Sequence, residues 1–243
     1  GSTDESLLKK YWLENENKVH FIGKGIIRFH AIYWPAMLLS AGLPLPNMEF
    51  VHGYVTVNGE KISKSLGNVI DPFEVVKKYG TDAARYYLLR EIPAYSDGDF
   101  SENRFKEVYN ADLANGLGNL VARVAKLCES ANYSQMGSRE RVSGHILHTA
   151  EYANALSEFR FNDALEIVWQ KIRRLDKFIE EEKPWQLVKN QDKKIKDVLG
   201  HAVDQIQEIA AFLEPFLPET AKKIEEQFKG PKIVSQQPLF PRL

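Results

Sequence analysis

One cysteine, Cys128, is all the thiol chemistry in the 243 residues. That excludes an internal disulfide and any cysteine-based metal cluster. Within an apolar helical stretch it is expected to be a buried free thiol, in keeping with a reducing, cytoplasmic setting. No apolar run approaches the ~20 residues that span a bilayer, and no basic, apolar and small-residue series opens the chain as a leader would. An initiator Met is also lacking, and Gly1-Ser2 reads as a cloning remnant, so the sequence is expected to be an excised piece of something longer. Charge of one sign is missing too. The 32 Lys and Arg face 33 Asp and Glu, a net charge of −1 that argues against a general RNA-coating protein. Any contact with nucleic acid must come from a local patch. What is present is the composition of a globular chain with a real core, 44% hydrophobic and 27% charged, long enough for one or two domains.

Three zones follow one another without an internal repeat. In residues 1–57, Val19 to Gly23 reads as a short buried strand, and a helix is expected from about Ile26 to Ala41, kinked near Pro35. Phe50 to Val57 reads as a β-rich run. Strand, helix and strand in that order give an α/β unit. In residues 58–100, Asn58-Gly59 marks a turn, Asp71-Pro72 a helix start, and Asp82 a cap for a further helix to about Arg90. From 101 to 243 the chain reads as helical. Phe105, Val108, Leu113, Leu117, Leu120 and Val124 keep an apolar period near 3.6. Further helices are expected over about 140–158, from Asn162 until Pro184 stops it, over 193–213 and from Pro218, with an extended strap from Pro231 to the end. Such stripes pack as an antiparallel helix bundle. The fold class is therefore mainly α with a small α/β part.

The stretch Gly59-Glu60-Lys61-Ile62-Ser63-Lys64-Ser65-Leu66-Gly67 sets two lysines three residues apart among hydroxyls, bracketed by glycines. Such a loop can fold over a polyphosphate, because each ammonium is a compact charge with three donors and hydroxyls and backbone N–H groups satisfy the remaining oxygens. By composition alone a solvated surface turn explains it as well. It is not a P-loop, since the G-x-x-x-x-G-K-[ST] spacing is missing.

Lys61-Ile62-Ser63-Lys64-Ser65 resembles the K-M-S-K-S signature of class I aminoacyl-tRNA synthetases, with Ile62 in place of Met. The flanks Val51 to Glu60 and Leu66 to Pro72, the upstream Phe29 to Ala36, Asp97-Gly98-Asp99-Phe100-Ser101, and Pro184-Trp185 are similar to the methionyl family. Leucyl, isoleucyl and valyl enzymes share the lysine loop and Gly67-Asn68 but generally lack these flanks. The resemblance implies that residues 1–57 are the remnant of a Rossmann-type catalytic domain, that 58–100 connect, and that 101–243 form an anticodon-binding helical domain. It implies ATP-dependent activation of methionine and transfer to tRNA(Met), with ATP and Mg2+ as substrate and no membrane partner. Lys61 and Lys64 are the implied catalytic residues, Lys64 foremost, and Lys61, Ile62, Ser63, Lys64 and Ser65 the implied ATP-binding set.

Ile26, Phe29, His30, Tyr33 and Trp34 match positions that line or support the methionine pocket, and a thioether suits apolar and aromatic walls. Ordinary core residues on a buried helix are the plainer reading, above all for Ile26 and Phe29. Asn119, Arg123 and Trp185 match positions that recognise the CAU anticodon. Asn119 and Arg123 stand four apart on one helix face, and an aromatic ring can stack an unpaired base. Taken alone, Trp185 reads as a bundle-core aromatic and Arg123 as a solvated charge. Lys171, Arg173, Arg174 and Lys177 give a basic side that could track stem phosphates. Two departures stand out. Gly25 occupies a position where the family usually has Asp. The family's H-I-G-H signature and zinc-binding insertion are absent, so this chain alone is expected to retain RNA binding without forming methionyl-adenylate. An isolated tRNA-binding module, or another aliphatic class I synthetase, remains the alternative.

Overall fold

The computed structural model describes residues 4–62, 67–134 and 149–243. Asp4 accepts a hydrogen bond from Ser6 N and caps α1 (Glu5–Leu8), which widens into a π-helical turn, Lys9–Leu13. The strand β1 (Val19–Gly23) forms where expected and pairs in parallel with β2 (Met48–His52), in a register running from Val19↔Met48 to Gly23↔His52. Between them the expected helix is three pieces: a 3-10 turn Lys24–Ile26, a π-helical turn Phe29–Tyr33, and α2 (Trp34–Ser40). The cause is Pro35. It has no N–H for the carbonyl one turn back, and the preceding turn widens so that Trp34 N reaches Phe29 O.

The run Phe50 to Val57, expected to be continuous, is two strands in different sheets. It breaks at Gly53, whose backbone passes so near residues 96–97 that a Cβ would stand 2.2 Å from Ser96 O and 2.5 Å from Asp97 N. Both obstacles are backbone, so no rotamer relieves them. Gly53→Ala is expected to destabilise the chain by roughly 1–3 kcal/mol, read as a lower urea midpoint; an unmoved midpoint would refute the close approach. Beyond Gly53, β3 (Val55–Val57) is the centre of a second sheet, antiparallel to β4 (Glu60–Lys61) and parallel to β5 (Gly98–Phe100). Asn58 and Gly59 turn the β3–β4 hairpin with φ of 52° and 79°, the left-handed pair that a two-residue hairpin needs.

Asp71 caps α3 (Pro72–Tyr79) through Phe73 N, and α4 (Thr81–Glu91) follows Gly80. Asp82 does not cap α4 as expected. It is the second residue of α4, buried, and its Oδ2 accepts the N–H of Thr220 at 2.6 Å. The remainder is helical: α5 (Glu102–Val108), a π-helical stretch Tyr109–Gly118 and α6 (Asn119–Ser130) run as one rod. Of the helix expected over 140–158, residues 140–148 lie outside the described residues, and α7 (Ala150–Ser157) is the described part. The long α8 (Phe161–Glu182) buries Leu165, Val168, Ile172, Leu175 and Ile179 as its periodicity requires. Pro184 both ends it and opens an unanticipated short helix, α9 (Pro184–Lys189). Two more, α10 (Ile195–Leu213) and α11 (Pro218–Phe228), complete a mainly helical fold. The tail is extended, buries Ile233 and Phe240, and ends with Leu243 N donating to Asn110.

One apolar core runs from Val57, Ala83, Tyr87 and Phe100 into the helices and out to Phe240. The helix α4 joins the second sheet to the bundle. Arg85 donates to the carbonyls of Phe216 and Pro215 at 2.7 and 2.8 Å. Tyr86 stacks on Trp169, and Arg90 pairs with Glu166 at 2.6 Å. The first sheet leans on the bundle through Phe159, whose ring meets Phe21 and Phe50 at 5.0 and 4.8 Å.

Candidate functional site

The lysine loop starts from a well-tied base. Asp99 Oδ1 accepts both Thr56 Oγ1 at 2.6 Å and Gly59 N at 2.7 Å, fixing the hairpin turn. Asn68 Nδ2 donates to Lys61 O at 3.1 Å, so a residue after the loop holds one before it. Lys61 and Ile62 are exposed, and the Lys61 ammonium lies 5.5 Å from the centre of the Tyr54 ring. Ser63, Lys64 and Ser65 lie outside the described residues. Asp99, Asn68 and Tyr54 stood within family-like stretches of the sequence with no role of their own assigned. Their signal is local: Asx residues beside a tight turn, and an aromatic next to a glycine.

Two clefts adjoin this base. The larger, about 690 Å³, includes Asn58, Gly67, Asn68, Lys77, Lys78 and Glu102 in its walls. Its lysines are met by carboxylates, Lys78 by Glu102 at 2.5 Å and Lys77 by Glu74 at 3.8 Å, and hydrogen bonds from Lys78, Tyr79 and Lys106 hold the Glu102 carboxyl down to about 2. The smaller, about 510 Å³, lies at the carboxyl ends of β1 and β2 between Lys24, His52, Gly53, Tyr95, Ser96 and Asp97. Carboxyl ends of parallel strands are where open α/β sheets take ligands.

The five residues assigned to the methionine side do not form a buried helix. Ile26 is 45% and Phe29 58% exposed, so neither lies in the core of this chain. His30 Nδ1–H donates to Ile26 O at 3.0 Å, and its ring stacks on Trp34 with centres 6.0 Å apart. Trp34 in turn stacks on Trp12 at 6.2 Å and meets His20 at 5.5 Å. Phe29 and Tyr33 form a separate edge-to-face pair at 5.6 Å. The structure thus groups His30 and Trp34 with Trp12 and His20, to which the sequence assigned no role. Neither cleft is lined by any of the five.

At the other end, Asn119 opens α6 and is exposed, with Arg123 one turn on. Trp185 stands in α9, which packs against α6, and is 42% exposed, so it is not a bundle-core aromatic. Arg123 is not a solvated charge either. Its guanidinium donates to Asp176 Oδ1 at 2.8 Å and Glu180 Oε1 at 2.6 Å, two carboxylates one turn apart on α8. The four-residue spacing of Asp176 and Glu180 was readable, but nothing in it pointed across to Arg123. The basic side of α8 is largely neutralised. Lys171 pairs with Glu208, Arg173 with Glu166 and Lys177 with Glu181, and Arg174 alone of the four meets no carboxylate among the described residues.

The family model described as tRNA synthetases class I (M) matches residues 2–125. A methionine–tRNA ligase of Nostoc sp. is 42% identical over 237 residues, covering 93% of this chain and 44% of the relative. That of Clostridium acetobutylicum is 37% identical over 270 residues, covering 100% of this chain and 42% of the relative. Among solved structures, a Mycobacterium tuberculosis methionyl-tRNA synthetase in complex with methionyl-adenylate superposes with a TM-score of 0.82 at 32% identity, over 99% of this chain and 52% of that one. The chain therefore spans about two fifths of the length of the curated relatives it matches.

Proposed function

Since the chain belongs to the class I (M) tRNA synthetase family, we propose that it is part of a methionine–tRNA ligase that activates methionine with ATP and transfers it to tRNA(Met). The observation that carries this reading is a likeness to methionine–tRNA ligases along essentially the whole chain. The α/β part at residues 1–57 is read as the remnant of a Rossmann-type catalytic domain, 58–100 as its connecting segment and 101–243 as the anticodon-binding bundle of a cytoplasmic enzyme.

The methionine carboxylate attacks the α-phosphorus of ATP, bound with Mg2+, and pyrophosphate leaves. Lys64 and Lys61 hold the negative charge that grows on the phosphate oxygens, with Ser63, Ser65 and the Ile62 backbone completing the cradle. Fixed positive charge is the chief contribution a protein makes to such a step. Ile26, Phe29, His30, Tyr33 and Trp34 wall the thioether. At the far end Trp185 stacks an unpaired base while Asn119 and Arg123 read base edges. The two carboxylates on Arg123 support this role by holding its fork in one orientation before RNA arrives.

Without the H-I-G-H signature, this chain alone binds RNA but catalyses no methionine-dependent pyrophosphate exchange. The test is binding of the 243-residue chain to a CAU anticodon stem-loop beside a scrambled loop at fixed salt. Trp185→Ala is expected to weaken CAU binding by about 1–3 kcal/mol, the worth of one base–aromatic stack, and to leave the scrambled loop unaffected. Equal affinity for the two loops would overturn the anticodon assignment.

A further inference from the structure

We propose that Tyr54 is the positioning residue of Lys61, holding its ammonium near the carboxyl ends of β1 and β2 without cancelling its charge; the proposal rests on the reading of the lysine loop given above. Tyr54 follows the tight passage at Gly53 and is fixed along its backbone. Its N–H donates to Asp97 Oδ1 at 2.8 Å, and its carbonyl accepts from Gly98 N at 3.0 Å. Two ammonium groups face its ring, Lys24 at 4.5 Å and Lys61 at 5.5 Å from the centre. They differ in one respect. Lys24, at the end of β1, is held by both oxygens of Asp97 at 2.6 and 2.7 Å, which also keeps the Asp97 carboxyl below the usual carboxylate range. Among the described residues Lys61 meets no carboxylate, and its side chain lies against the Tyr54 ring.

That difference has a chemical sense. A carboxylate would hold Lys61 equally well but would offset its charge. An aromatic face attracts the cation through its quadrupole and adds no net charge of its own. The ammonium is placed in advance and keeps its full field for a polyphosphate. Gly25 completes the seat, because a Cβ there would stand 2.6 Å from the Tyr54 hydroxyl. The ring's tip occupies room that a side chain at position 25 would contest.

The test uses the full-length protein and methionine-dependent pyrophosphate exchange. Tyr54→Leu removes the ring and is expected to lower kcat roughly five- to tenfold with the KM for methionine unchanged, on the scale of one cation–π contact. Tyr54→Phe, which keeps the ring, restores the parent value. In a Lys61→Met background Tyr54→Leu has no further effect, because the residue through which it acts is gone. Gly25→Ala slows the parent and slows the Tyr54→Phe protein less, a geometric check independent of the leucine variant. Equal slowing by Tyr54→Leu in both backgrounds overturns the proposal and leaves the loop reading standing. An unchanged rate in Lys61→Met alone overturns the part of Lys61 in the loop reading, and this proposal with it. Stem-loop binding at the parent level in every variant shows that folding is intact.

Discussion

Replacing Lys64 with alanine in the full-length protein is expected to slow methionyl-adenylate formation by about 10²–10³, the usual cost of removing one preorganised group from a developing anion. The KM for methionine should hardly move. The ammonium is assigned to phosphate oxygens in the transition state, whereas the thioether is assigned to apolar and aromatic walls around residues 26–34. Loss of an interaction made only in the transition state lowers kcat and kcat/KM together. Lys64→Arg should recover only part of the rate, because a planar fork does not reproduce a compact, rotatable point charge. Single-turnover pyrophosphate exchange measures this directly. A parent-like rate in Lys64→Ala would remove the residue from the chemistry, whatever became of Lys61.

The second large effect concerns stability and rests on Asp82. This carboxylate is 5% exposed, lies in the first turn of α4 and accepts the N–H of Thr220 in the first turn of α11 at 2.6 Å. One negative charge thus faces the positive ends of two helices, an arrangement that favours it at both. Asp82→Ala leaves a buried N–H without its acceptor and withdraws the charge from both helix ends. The expected loss is about 2–4 kcal/mol, or roughly 5–12 °C in Tm for a chain of this size. Asp82→Asn keeps an acceptor without the charge and should fall between. Thermal and urea melts of the three proteins decide it. A neutral alanine variant would mean that water reaches Thr220 N and that the carboxylate contributes little. Because α4 joins the second sheet to the bundle, the loss should appear as one transition for both regions.

The helical half was legible because its signals are local and repeated. Asp71 and the prolines set helix starts, and the apolar period from Phe105 to Val124 picks out residues that are all buried. What escaped was decided by contacts distant in sequence. Gly53 reads as an ordinary strand glycine until the backbone at residues 96–97 is laid across it. Asp82 has the pattern of a cap for its own helix, and only the fold brings Thr220 to it. Pro35 announced a kink, but the widened turn before it depends on how the strain is taken up. At the candidate site, the residue types in the lysine loop suit either a phosphate cradle or a surface turn, and the proposed cradle rests on family resemblance. The partners of those residues were not visible at all. Tyr54 under Lys61 and the carboxylates on Arg123 are meetings between segments that carry no mark of each other.

The lone cysteine allows the bundle to report on itself. Cys128 is fully buried on α6, and burial pushes its thiol up to about 12, so in the closed state it offers a reagent neither access nor thiolate. Alkylation at neutral pH must wait for α6 to part from its neighbours. With dilute reagent the labelling rate follows the population of the opened state; with concentrated reagent it reaches a ceiling set by the opening rate itself. Since no other thiol competes, mass spectrometry of the intact chain resolves both quantities from one adduct. The helix so timed is the one that bears Asn119 and Arg123, and a bound stem-loop would slow the labelling by the factor through which it favours the closed bundle.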